Sequence, residues 1–192
     1  YKRHGVNYMR ENKKVINPSG HATDLFSDWS AEFIRERKKS KDPFFLFLSY
    51  NAPHTPIQPP KEWTAKVMKR EKGITQQRAK LVALIEHMDE GIGRVLSAIE
   101  EKDNTIVIFT SDNGGQANVG ARNHPWRGEK QQMWEGGIRV PACIVWPGKV
   151  RGGSKYSGDS MSMDWMPTLM DIVGAKKNEL LDGVSLWPGI QG

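Results

Sequence analysis

The sequence is poor in the features that mark several protein classes. It has one cysteine, Cys143, so no disulfide can form within the chain. Cys143 lies in the apolar run 140–146 and not beside histidine or aspartate, which predicts a core side chain. The longest apolar runs, residues 43–50 and 105–110, are far shorter than the roughly 20 residues of a membrane-spanning helix. We therefore expect no membrane span.

The charge balance is basic, with a net charge of +6 and a pI near 9.4. This excess favours an anionic partner, either nucleic acid or a sulfated or phosphorylated substrate. The lysines are scattered and have no recognition-helix, zinc-finger or aromatic-platform pattern beside them. We therefore expect no nucleic-acid partner. The composition, 38% hydrophobic and 26% charged, is typical of one globular domain.

The apolar pattern predicts alternating helices and strands. Apolar residues recur at three and four positions in 24–38 and in 75–102, and a shorter helix is predicted over 161–173. In the long helix, Gly91 and Gly93 either weaken the helix or allow close packing. Three short runs, 44–48, 105–110 and 138–146, are typical of buried strands. Together they predict an α/β fold with a mostly parallel sheet flanked by helices.

Polar clusters lie beside these strands, where α/β sheets gather functional groups. His54 follows the first strand, held between two prolines, and either serves as an acid at an anion or is structural. Asp112 and Asn113 follow the second strand, before Gly114 and Gly115. Their oxygens suit a hard metal ion, although the same residues make ordinary turns.

The third cluster, residues 126–141, precedes the last strand and contains Lys130 and a Glu-Gly-Gly stretch. Lys130 either holds an oxyanion or is solvated beside a turn. Taken singly, each of the three clusters is more consistent with a structural role. Their order along the chain carries more information than any one of them.

That order resembles the type I sulfatases over nearly the whole chain, and residues 88–96, 164–169 and 182–186 extend the match. The resemblance implies an alkaline-phosphatase-like α/β fold, incomplete here. It also implies a formylglycine nucleophile and a calcium ion that binds the sulfate oxygens. Asp112 and Asn113 match calcium ligands of the family, Lys130 matches the lysine at the sulfate and leaving group, and His54 matches the histidine near the sulfate. His124 is a candidate for a substrate subsite.

The sequence departs from the family because it contains no Cys-x-Pro/Ala-x-Arg or Ser-x-Pro-x-Arg stretch, and Cys143 is followed by Ile-Val-Trp-Pro. The formylglycine and further calcium-binding aspartates are therefore expected upstream, and the smaller carboxyl-terminal domain downstream. Residues 1–192 are expected to be a partial sulfatase catalytic domain, inactive by itself. The family's usual export implies a periplasmic or extracellular location.

The expected activity of the whole protein is hydrolysis of a sulfate ester, with a sulfated small molecule or a sulfated glycan as substrate. A phosphoesterase or phosphonate hydrolase of the same superfamily is one alternative. A non-catalytic remnant that binds sulfated glycans is another. The Glu-Gly-Gly stretch together with Lys130 favours the sulfatase.

Overall fold

Two compact units make up the chain, one of residues 1–100 with 115–122, the other of residues 101–114 with 123–192. The computed structural model describes residues 2–3, 6–100, 103–176 and 180–191. Each unit is considered by itself below.

The described residues of the first unit form two short antiparallel strand pairs and three helices. Strand β1 (Lys2–Arg3) pairs antiparallel with β2 (Val6–Asn7), and β3 (Arg10–Glu11) with β4 (Lys14–Val15). The helices are α1 (Ala22–Arg37), α2 (Lys61–Arg70) and α3 (Gln76–Leu96), and a short 3-10 turn spans Ala117–Val119. Helix α2, which begins directly after Pro59 and Pro60, was not among the predicted elements.

Helix α3 is the scaffold of this unit, since α1 and α2 both pack against it. Its junction with α1 buries a cluster of small and branched side chains, Ala31, Ile34, Val95 and Ala98. A second cluster of Val67, Ala79 and Ala83 joins it to α2. The predicted helices 24–38 and 75–102 are both found. Glu101 and Lys102, at the predicted end of the second, lie outside the described residues.

The two glycines of α3 have different roles. Gly91 is buried, and a Cβ there would overlap Ser27 Oγ of α1 and lie 3.4 Å from Ser27 Cβ. A Cβ at Gly93 would meet nothing within 4 Å. Gly91 therefore permits close approach of two helices, whereas Gly93 only lowers the helix propensity.

The predicted strand over 44–48 is wrong. The segment has no regular secondary structure and no strand partner among the described residues. Leu46 and Leu48 pack on the α1–α3 core, while the side chains of Phe45 and Phe47 are 75% and 79% exposed. A strand that is apolar on both sides needs covering elements on both sides, and only one side is covered here.

The second unit is built around one antiparallel pair of strands. Strand β5 (Val107–Thr110) pairs antiparallel with β6 (Ala142–Val145), with Val107 opposite Val145 and Thr110 opposite Ala142. The helices are α4 (Glu135–Ile138), α5 (Trp165–Ile172) and α6 (Trp187–Gln191), and a 3-10 turn spans Ser162–Asp164. Strand β5 and helix α5 confirm the predicted elements at 105–110 and 161–173.

Two sequence predictions fail in this unit. The predicted strand 138–146 is found only from Ala142, because Ile138 ends helix α4. Cys143, predicted to be core, is exposed. Cys143 is exposed because a two-stranded ribbon leaves its faces open unless other elements cover them. The strand pairs in the described ranges are antiparallel, whereas the sequence predicted a mostly parallel sheet.

A buried aspartate ties the last segments together. Asp164 is 5% exposed, and its carboxylate accepts the backbone N–H groups of Met161 (2.7 Å) and Val184 (2.9 Å). Thr168 extends this network, since its hydroxyl donates to Asp164 O (2.6 Å) and accepts from Leu186 N–H (2.8 Å). Two segments on which the sulfatase resemblance depends, 164–169 and 182–186, therefore support each other through buried hydrogen bonds.

Candidate functional site

Asp112 and Asn113 occupy the loop that directly follows β5. Ser111 Oγ donates to Asn113 O (3.4 Å), and Asn113 Nδ2 donates to Gly114 O (3.0 Å). Asp112 is exposed and Asn113 is half-buried. The loop therefore holds the amide nitrogen of Asn113 against the backbone. Its Oδ1 and the Asp112 carboxylate are left as oxygen ligands for a cation.

Glycines lock this loop onto helix α4. Gly114 N–H donates to Gly137 O (2.9 Å), and a Cβ at Gly114 would overlap the carbonyl oxygen of Gly136. A Cβ at Gly136 would in turn overlap Gly128 O, and one at Gly137 would lie 2.5 Å from Glu129 O. No side chain fits between these backbones, so Gly114, Gly136 and Gly137 are required for the packing of the two loops.

Lys130 lies in the loop that packs on the other side of the same glycines. Gly136 N–H donates to Arg127 O (2.8 Å), and the flanking residues Gly128 and Gln131 have positive φ angles of 91° and 74°. Lys130 is half-buried and makes no ion pair with a carboxylate in the described part of the chain. The loop of Asp112 and Asn113 and the loop of Lys130 therefore both pack against Gly136 and Gly137.

His54 belongs to the first unit, in the turn predicted from its flanking prolines. Its N–H donates to Asn51 O (2.9 Å), and its ring Nδ1 lies 2.8 Å from Thr55 O. Because a carbonyl only accepts, Nδ1 carries the proton and Nε2 is left as the second position of the ring. The side chain is exposed. This arrangement suits a histidine that exchanges a proton at Nε2.

The oxygen donors of the β5 loop fit part of a site for a hard cation. Calcium takes six to eight oxygen ligands from carboxylates, amide carbonyls and water. Asp112 and Asn113 supply one carboxylate and one amide oxygen, and no described residue donates a hydrogen bond to Asn113 Oδ1. These two residues can supply part of a calcium site, and further oxygen ligands would be needed to complete it.

A cluster of metal-type side chains, missed by the sequence reasoning, joins α1 to α3. The donor atoms of His21, Asp24 and His87 lie within 4.8 Å of one another. His87 Nε2 and an Arg94 nitrogen both donate to Asp24 Oδ1, at 2.9 and 2.8 Å. His21 Nε2 donates to Gln58 O (3.0 Å), and its Nδ1 accepts from the first turn of α1. These bonds engage both ring nitrogens of His21, His87 Nε2 and Asp24 Oδ1, so we interpret the cluster as structural.

The cluster also sets the pKa of Asp24. Burial alone raises the pKa of this carboxyl, but the hydrogen bonds from Arg94 and His87 outweigh burial and leave the pKa below its ordinary value. The charged carboxylate is thereby favoured as the partner of two donors. Asp24 is therefore a helix-joining anion rather than a proton carrier.

The chain belongs to the sulfatase family, since the family model named Sulfatase matches residues 2–175. A sulfatase of Formosa agariphila is 34% identical over 184 residues, which are 86% of this chain and 33% of that protein. Human steryl-sulfatase is 30% identical over 201 residues, 96% of this chain and 33% of that protein. The chain thus spans about a third of the length of these relatives. Family membership implies the use of a metal ion.

Solved structures place the fold in the same family. The crystal structure of Ps i-CgsB matches with a TM-score of 0.86 and 35% identity, over 93% of this chain and 40% of that one. The same protein in complex with k-i-k-neocarrahexaose matches with a TM-score of 0.85. These neighbours confirm the predicted α/β fold of the alkaline-phosphatase and sulfatase type, of which the chain is a part. In the described ranges, no helix is long and apolar enough to cross a bilayer.

Proposed function

We propose that the protein containing this chain hydrolyses sulfate esters and that Asp112, Asn113 and Lys130 act at the sulfate. The observation that carries the proposal is the glycine packing at Gly114, Gly136 and Gly137, which brings the two loops with these side chains together. Two oxygen ligands on one loop and, on the adjoining loop, an ammonium with no carboxylate partner among the described residues suit a divalent cation and an oxyanion. The sulfatase family match supports the same reading.

Each side chain has a role that follows from its chemistry. Lys130 would hold the negative oxygens of the sulfate group and offset the charge that develops on the leaving oxygen. His54, as an imidazolium with Nδ1–H donating to Thr55 O, would give its Nε2 proton to that oxygen and be left neutral. Asp112 and Asn113 would hold the cation. Calcium, when bound, would neutralise sulfate oxygens, and a formylglycine in another segment would supply the attacking group.

We further propose that residues 1–192 are the later part of a longer catalytic domain. The chain has no segment of the formylglycine type and spans about a third of its relatives, 33% of the Formosa protein. Its surface supports the same view, since Phe45, Phe47 and Val145 are 75%, 79% and 52% exposed. Further chain covering these side chains would bury them, at about 25 cal/mol per Å² of apolar surface. By itself the chain would lack turnover.

The substrate is proposed to be a sulfated sugar or another sulfated small molecule. The names of the relatives cover different chemistry, including human steryl-sulfatase and canine N-acetylgalactosamine-6-sulfatase. The structural neighbour Ps i-CgsB was solved with k-i-k-neocarrahexaose and is 35% identical to this chain. That likeness favours a sugar substrate.

The test is turnover of nitrophenyl sulfate and nitrophenyl phosphate by the intact enzyme with calcium. We expect sulfate hydrolysis, a loss of at least a hundredfold in Lys130→Ala, and little change in Lys149→Ala, a matched exposed lysine of the same unit. Calorimetry should show weakened calcium binding in Asp112→Ala. Turnover of the phosphate ester alone would assign the protein to phosphoryl transfer. Unchanged calcium affinity in Asp112→Ala would remove that residue from the metal site.

A further inference from the structure

One ring nitrogen of His21 is bonded to the loop that carries His54. His21 Nε2 donates to the carbonyl oxygen of Gln58 at 3.0 Å, the only hydrogen bond in the described part of the chain that joins residues 51–59 to another segment. The other ring nitrogen, Nδ1, accepts from Thr23 N–H at 3.2 Å. Because a carbonyl only accepts and a backbone N–H only donates, both bonds require the same neutral tautomer, with the proton on Nε2.

The loop of residues 51–60 has few other interactions that could hold it. None of these ten residues is buried, so packing contributes little to their position. Four of them have no backbone N–H to donate, because they are proline: Pro53, Pro56, Pro59 and Pro60. The place of the exposed His54 side chain therefore depends on the bond at Gln58.

The short segment between Gln58 and His54 is stiff. The ring of Pro56 fixes its own φ angle, and Thr55 and Gln58 each precede a proline, which restricts their backbones as well. Ile57 is the one residue of the segment with ordinary backbone freedom. A constraint on the Gln58 carbonyl is therefore passed on to His54 instead of being absorbed between them.

The capping of helix α1 does not by itself require a histidine. Asparagine, aspartate, serine and threonine are the preferred residues at this position, and each could accept from Thr23 N–H. An imidazole adds a second nitrogen that can bond to another segment. The ring of His21 is also held in place, since it packs edge-on against His87 with the centroids 4.7 Å apart, and His87 is 3% exposed and donates to Asp24. The bond to Gln58 is thus what the histidine adds to a simple cap.

We propose that His21 is a positioning residue for His54. This inference rests on the proposed function, in which His54 gives its proton to the leaving oxygen. His21 acts through the loop and not on the reacting atoms, because its Nε2–H fixes the Gln58 carbonyl and the stiff segment carries that constraint to His54. Loss of the bond should therefore have the same kinetic signature as loss of His54 itself, at a smaller amplitude.

Two amide substitutions separate the two bonds of His21. In His21→Asn the amide oxygen is bonded to Cγ, as Nδ1 is in histidine, so it can cap α1 but is too short to reach Gln58. In His21→Gln the longer side chain can bring an amide N–H close to the place of Nε2 and donate to Gln58 O. Because asparagine is a preferred cap, His21→Asn should unfold at the parental denaturant concentration.

The test measures kcat and KM of the intact enzyme, with calcium, on nitrophenyl sulfate and on methoxyphenyl sulfate, whose poorer leaving group needs the acid more. His21→Asn should lower kcat on methoxyphenyl sulfate by about tenfold with KM nearly unchanged, and by less than about twofold on nitrophenyl sulfate. His21→Gln should recover most of that loss. Adding His21→Asn to His54→Ala should cause no further loss, because both changes affect one proton transfer.

The outcomes separate this inference from the proposed function. A parent enzyme that cleaves neither ester would refute the function itself. A His54→Ala enzyme that loses equally on both esters would remove the acid role of His54, and the positioning role with it. If His54→Ala does discriminate between the esters, then a His21→Asn enzyme that matches the parent, or that loses equally on both, would show that His21 is only a cap.

Discussion

Replacing Gly114 with alanine should destabilise the protein and weaken the proposed metal site at the same time. The new methyl group would overlap Gly136 O and lie 2.9 Å from Gly137 Cα, and backbone atoms cannot rotate away as a side chain can. Overpacking of this kind costs about 1–3 kcal/mol. Loss of the bond from Gly114 N–H to Gly137 O adds about 1 kcal/mol. We expect a total of about 2–4 kcal/mol, unless the loop moves away from α4.

Denaturant unfolding of the intact enzyme measures the first effect, and calcium calorimetry the second. If the loop moves instead, Asp112 and Asn113 move with it, and calcium affinity should fall at least tenfold, which is about 1.4 kcal/mol. Gly93→Ala is the matched control, since its methyl group meets nothing within 4 Å and should stabilise α3 by up to about 1 kcal/mol. A Gly114→Ala enzyme with parental stability and parental calcium affinity would refute the glycine-packing argument.

Three further outcomes follow from the same contacts. Gly91→Ala should destabilise by about 1–3 kcal/mol in denaturant unfolding because Ser27 must move, whereas a loss no larger than in Gly93→Ala would exclude close helix packing. The lowered pKa of Asp24 implies stability that is present above the unfolded pKa of about 3.9 and is lost as pH falls through the folded pKa. Asp24→Asn should therefore flatten the acid limb of a stability–pH profile, and an unchanged limb would contradict this. His54→Ala should lower turnover more for alkyl sulfates than for nitrophenyl sulfate, because a stable leaving oxygen needs no acid, and equal losses would indicate a structural histidine.

Local patterns were sufficient for helices α1, α3 and α5 and for the order of the segments that carry the proposed site. The spacing of apolar residues placed both ends of α1 and the start of α3 within two residues, since one buried stripe repeats with the helical period. The observed α3 ends at Leu96, before the predicted end at 102. The polar loop after β5 was also predicted, because a β-branched run followed by Asp-Asn-Gly-Gly is typical of a strand that ends in a turn. These are properties of neighbouring residues and need no knowledge of the rest of the fold.

Strand pairing was not accessible in this way. Residues 44–48 have the composition of a buried strand, yet no described strand pairs with them, and Cys143 is exposed in a ribbon that the apolar pattern assigned to the core. Whether an apolar run becomes a covered strand depends on partners far away in sequence. The antiparallel register of β5 and β6 has the same origin.

The sequence by itself determined the family, helices α1, α3 and α5, and the residue types of the proposed site, because motif order and apolar period are written along the chain. Only the tertiary structure decided what the glycines do. Gly91 and Gly93 are alike in sequence, but one faces Ser27 and the other faces open space. Likewise, the sequence alone interprets Gly114 and Gly136 as turn residues, whereas the structure shows their backbones in contact. Close approach between distant segments depends on how the chain folds back on itself, and no local pattern records it.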